Sequence, residues 1–105
     1  MNIQRRGNLE QLKRGAAEAA EFLLLLANDK RLLILCELSE RGELPVGALA
    51  GSVRLSQSAL SQHLAKLRAD GLVETRREAQ TIYYRLAPDT RVRRSLTLLK
   101  RLFCQ

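Results

Sequence analysis

Aliphatic residues recur every three or four positions along most of this chain, and that spacing changes once, between residues 72 and 86. The change limits the fold more than any other feature, because a helical period cannot serve as a strand. Leu9, Leu12, Ala16, Ala19, Ala20, Leu23 and Leu26 predict an amphipathic helix over 9–26. Asn28 or Asp29 is placed to cap a second helix, whose Leu32, Leu33, Ile34, Leu35 and Leu38 make it the buried centre, with Gly42 ending it. Pro45 suits the first turn of a short third helix with Val46, Leu49, Ala50 and Val53 on its inner face. Arg54, Leu55 and Ser56 link it to a fourth helix, capped by Ser56, held by Leu60, Leu64 and Leu67, and stopped by Gly71. Residues 72–76 and 81–86 then alternate and are rich in β-branched and aromatic side chains; with Arg77 to Gln80 between them they predict a β-hairpin. After Pro88, the stripe Val92, Leu96, Leu99, Leu102 and Phe103 predicts a last helix. The expected fold is mainly α with a hairpin, in the order α-α-α-α-β-β-α.

A length of 105 residues predicts one domain over 1–105. Eighteen Lys and Arg against 11 Asp and Glu give a net charge of +7, which points to a polyanionic partner, most often nucleic acid. The longest apolar run, Phe22 to Ala27, is far short of the ~20 residues that a membrane helix needs. The opening residues carry Glu10, Glu18 and Glu21 where a signal peptide would be apolar. Cys36 and Cys104 are too sparse for a disulfide scaffold and lack metal-binding spacing. The expected compartment is the reducing cytoplasm, and no cofactor is expected.

Two short helices joined by a tight turn and followed by a hairpin make a winged helix-turn-helix. One helix fits the DNA major groove, and the first of the pair braces it across the backbone. With the leucines of the fourth helix turned inward, Ser58, Gln62, Ala65 and Ala69 point outward, Ser61 and Lys66 lie on the flanks, and Gln57 sits at the first turn. Gln and Ser can bond base edges or phosphates, and alanine permits close approach. Arg68 lies on the same helix. His63, the only histidine, falls at the edge of the buried face, as a DNA contact or a structural residue rather than a metal ligand. Arg76, Arg77 and Arg85 flank the hairpin and Gln80 lies near its tip, where they can grip phosphate or enter a narrow minor groove; charge there also protects an edge strand.

Leu55 to Val73 resembles the recognition-helix signature of the ArsR family of bacterial repressors. Arg76 to Leu86 resembles that family's wing, and Ala27 to Leu35 its second helix, so that the resemblance covers roughly residues 16–104. It implies a homodimer on an imperfect palindrome of double-stranded DNA, with the first and last helices forming the dimer interface.

Many members of that family sense metals through a third-helix segment reading Glu-Leu-Cys-Val-Cys-Asp-Leu. Here the segment is Glu43-Leu44-Pro45-Val46-Gly47-Ala48-Leu49, with Pro45 and Gly47 at both cysteine positions. A second family site uses Asp, His and Glu on the last helix, where this chain has no histidine and no acid after Asp89. No metal site is therefore expected. Cys36 on the second helix and Cys104 near the end of the last one resemble the persulfide-sensing branch, related to repressors of sulfide oxidation and biofilm genes. The resemblance implies that persulfide or polysulfide bridges the two cysteines, releases operator DNA and derepresses sulfide-detoxification genes. Peroxide or electrophiles acting by simple disulfide formation are the alternative inducers, metal a lesser one. A small thiol carrier enzyme is the rival class, but neither cysteine has a nearby general base in the sequence, so an enzyme is not expected. Which sulfur attacks first stays open.

Overall fold

The computed structural model describes residues 2–104, with side chains placed from residue 8 onward. The chain runs through α1 (Asn2–Leu26), α2 (Asp29–Arg41), β1 (Glu43–Pro45), α3 (Val46–Val53), α4 (Gln57–Ala69), β2 (Val73–Glu78), β3 (Thr81–Leu86) and α5 (Thr90–Phe103). This is the winged helix-turn-helix predicted by the hydrophobic spacing, with one strand more.

Local chemistry sets most boundaries. The Asn28 side chain accepts a hydrogen bond from the Arg31 amide and caps α2, with Asp29 as its first residue. Ser56 caps α4 by accepting from the Ala59 amide, and Asp89 caps α5 by accepting from the Arg91 amide. Gly42 and Gly71 close α2 and α4 at φ of +88° and +77°, a backbone conformation that costs other residues more.

Four expectations are corrected. The strand β1 is new. It is three residues long and contains a proline, so nothing local marks it. It forms because Glu43, Leu44 and Pro45 pair antiparallel with Arg85, Tyr84 and Tyr83, giving the sheet order β1-β3-β2 with Pro45 on an edge strand. The element order is therefore α-α-β-α-α-β-β-α, and Pro45 occupies the N-cap of α3 rather than its first turn. The hairpin loop shrinks to Ala79 and Gln80, because Arg77 and Glu78 pair with Ile82 and Thr81 through backbone groups that ignore side-chain charge. Ala79 takes φ +56° to make that turn. Finally, α1 starts at Asn2 instead of residue 9.

The core is aliphatic and continuous. Leu26 of α1, Ile34, Leu35 and Leu38 of α2, Leu49 and Val53 of α3, and Leu60, Leu64 and Leu67 of α4 meet Leu72, Val73 and Leu86 of the sheet and Val92 and Leu96 of α5. Thus α2 is central, although its Leu33 faces outward. Only the last turns of α1 join the core, through Phe22, Leu25 and Leu26; residues 8–21 are exposed throughout. Leu12 (67% exposed), Leu24 (71%) and Phe103 (78%) leave large apolar side chains uncovered on α1 and α5.

Candidate nucleic-acid interface and thiol pocket

The inward leucines of α4 leave the opposite face to Gln57, Ser58, Ser61, Gln62, Ala65, Lys66, Arg68 and Ala69, all exposed. His63 is half-buried at the border of that face. The Gln57 amide nitrogen lies against α3, 3.6 Å from where a side-chain carbon would stand on Gly47. Small residues at 47, 65 and 69 leave this surface without bulky side chains at those positions. Arg54, in the left-handed turn between α3 and α4 (φ +56°), adds an exposed cation beside it. Sequence spacing misses Arg54 because only the turn geometry brings it there.

The wing divides its arginines into two kinds. Arg76 donates to both oxygens of Glu43 through Nε (3.2 Å each) and to Oε1 through Nη2 (2.7 Å). It also pairs with Glu78 at 3.5 Å and lies 4.7 Å over the Tyr83 ring. Arg85 sits in register between Glu43 on β1 and Glu74 on β2, and its Nε donates to Glu74 at 2.8 Å. Hydrogen bonds from Arg76 hold the Glu43 carboxyl below its ordinary range, and the same pair raises the Arg76 guanidinium. These two arginines therefore tie the three strands together at the base of the wing. Arg77 and Gln80 are exposed toward its tip, and Arg77, Lys66 and Arg68 have no ion-pair partner among the described residues.

On another part of the surface, Cys36 and Cys104 line one pocket of about 220 Å³ together with Leu32, Leu99, Lys100 and Phe103. Both are free thiols, Cys36 half-buried and Cys104 exposed. Burial pushes the Cys36 thiol up; the Lys100 ammonium opposes this, while Cys104 and Glu40 add to it. Lys100 reaches across from α5 to α2, donating to Ser39 Oγ at 3.5 Å and pairing with Glu40 at 3.7 Å. Among the described residues, no three His, Cys, Asp or Glu side chains gather as a metal site would require, and no helix is long and apolar enough to cross a membrane.

A family model for "Bacterial regulatory protein, arsR family" matches residues 28–75. The chain is 52% identical over 98 residues to the transcriptional activator HlyU of Vibrio cholerae serotype O1, covering 93% of this chain and 89% of that protein. It is 42% identical over 96 residues to the biofilm growth-associated repressor of Agrobacterium fabrum, covering 91% of this chain and 80% of the relative. The solved structure of reduced HlyU from Vibrio cholerae N16961 superposes with a TM-score of 0.82 at 51% identity, over 91% of this chain and 99% of that one.

Proposed function

The chain belongs to the arsR family of bacterial regulatory proteins, a DNA-binding transcription regulator and not an enzyme, and from that premise we propose that it is a homodimeric cytoplasmic repressor that releases its operator when a reactive sulfur species bridges Cys36 and Cys104. The observation that carries this reading is the shared pocket, in which an α2 thiol and an α5 thiol face the same apolar space.

The chemistry balances without an added oxidant. One thiolate attacks the central sulfur of a trisulfide RSSSR and expels RS⁻. The second thiolate attacks that same transferred sulfur and expels the other RS⁻. The result is a Cys–S–S–S–Cys bridge and two thiols, which are hydrogen sulfide when the donor is inorganic; the two outer sulfurs of the donor are reduced to thiols, the two cysteine sulfurs are oxidised, and the transferred central sulfur keeps its oxidation state. A direct disulfide needs Cα atoms within about 7 Å, whereas an inserted sulfur spans a wider gap.

Bridging ties α5 to the central helix, which also packs against α4. In a dimer, α5 and the outward leucines of α1 cover one another, which explains why a 25-residue helix keeps most of its length off the core. Tying α5 to α2 then alters the spacing of the two recognition helices, which must match successive major grooves. A coupling of about 1–3 kcal/mol lowers operator affinity about 5- to 150-fold.

The DNA-reading set is Gln57, Ser58, Ser61, Gln62, His63, Lys66 and Arg68 on α4, with Arg77 and Gln80 on the wing; Arg76 and Arg85 brace the wing from behind. The test is peptide mass mapping after polysulfide treatment. A Cys36–Cys104 crosslink carrying extra sulfur supports the reading. A crosslink of the bare disulfide mass points to peroxide-type oxidation, and unlinked modified cysteines overturn the bridge.

A further inference from the structure

We infer that Lys100 is the positioning residue of the thiol pocket: its ammonium is the one lining charge that favours the Cys36 thiolate against its apolar surroundings, and Glu40 restrains it. The inference deepens the sulfur-bridging reading, since it concerns the same pocket, but its test does not depend on sulfur chemistry.

Three placements carry it. Lys100 is the one cation lining a pocket otherwise built from Leu32, Leu99, Phe103 and the two thiols. It lies one helical turn before Cys104, whose amide donates to the Lys100 carbonyl at 2.9 Å. Its ammonium ends 3.5 Å from Ser39 and 3.7 Å from Glu40, residues that follow Cys36 by three and four positions and so stand one turn above it on α2. The lysine thus spans from the turn that carries one sulfur to the turn that carries the other. In apolar surroundings a thiol is a poor nucleophile, and a nearby ammonium favours the thiolate that attacks. The groups that act on Cys36 are Lys100 and Cys104 from α5 and Glu40 from its own helix, and only Lys100 favours the thiolate. Glu40 both opposes that thiolate and holds the ammonium beside itself.

The arrangement separates a positioning role from a plain strut. If Lys100 only pins α5 to α2, breaking the Lys100–Glu40 pair from either side does the same thing. If Lys100 activates Cys36, the two substitutions act in opposite directions. The experiment measures iodoacetamide alkylation of Cys36 across pH in full-length protein carrying Cys104→Ser, so that Cys36 is the only thiol. Lys100→Met slows alkylation about two- to fivefold below the midpoint of the pH curve and moves that midpoint upward, as losing a partly buried charge partner does. Lys100→Arg stays near the parent, and Glu40→Gln is as fast or faster. Operator affinity of each variant, measured in parallel, verifies the fold. Lys100→Met as fast as the parent, Lys100→Arg as slow as Lys100→Met, or Glu40→Gln slower than the parent each overturns the inference. Should the alkylation pattern hold while polysulfide forms no bridge, Lys100 keeps its role and the sulfur reading falls.

Discussion

Arg77→Ala and Arg76→Ala, one residue apart on β2, should have different consequences on DNA. Arg77 is exposed and without an ion-pair partner among the described residues, whereas Arg76 is already committed to Glu43 at 2.7 Å. Each phosphate contact adds about −0.9 to the slope of log affinity against log salt. With Lys66, Arg68 and Arg77 each meeting one phosphate per protomer, the dimer has a slope of about −5. If Arg76 and Arg85 also met phosphate, it would be about −9. Arg77→Ala removes two contacts per dimer and flattens the slope by about 1.8. Relative to about 1 M salt, each contact is worth about fivefold at about 0.15 M, so the variant loses about 30-fold in affinity there. The loss is equal on operator and scrambled duplexes, because phosphate contacts position rather than specify. Arg76→Ala keeps the parental slope while loosening the wing. The assay is fluorescence anisotropy of labelled duplexes titrated from about 50 to about 300 mM salt. An unchanged slope for Arg77→Ala, or equal flattening by Arg76→Ala, would refute this division of the wing.

Other outcomes follow from the same structure. Leu64→Ala removes a fully buried α4 side chain and should cost about 2–5 kcal/mol in urea unfolding at fixed protein concentration; a loss below about 1 kcal/mol would mean that α4 is not held as described. Glu43 is held below its ordinary value of 4.5 by hydrogen bonds from Arg76, so its contribution to stability is present above that pH and is lost as pH falls through the depressed folded value. Glu43→Gln should therefore be less stable than the parent at neutral pH, with the gap closing on acidification; a gap that persists in acid contradicts the pairing. Deleting residues 90–105 removes α5, including buried Val92 and Leu96, and should give monomers or aggregates by light scattering, whereas a well-behaved dimer would move the interface elsewhere.

The readability of the fold followed the range of the forces involved. Caps and stops at Asn28, Ser56, Gly42 and Gly71 satisfy backbone groups within a few residues, so the local sequence announces them. The strand at Glu43–Pro45 depends on a partner about 40 residues away and carries no periodic signal of its own. The same limit governs the site. The outward face of α4 is a matter of helical geometry and could be read from Leu60, Leu64 and Leu67 alone. The ties of Arg76 to Glu43 and of Arg85 to Glu74 and Glu43 need the sheet register, and so the wing positions Arg76, Arg77, Gln80 and Arg85 looked equivalent in the sequence. Cys36 and Cys104 could be singled out by type and by family resemblance, but their meeting in one pocket with Lys100 requires α5 to lie against α2.

The most direct test of the account is operator binding by Cys36→Ser and Cys104→Ser proteins before and after polysulfide. The bridge needs both sulfurs, and neither lies on the α4 face or the wing. Both variants should bind the operator like the parent and remain bound under a polysulfide dose that releases the parent about 5- to 150-fold. Release of the Cys36→Ser protein at the parental dose would contradict a two-cysteine bridge and would leave modification of Cys104 alone as the signal.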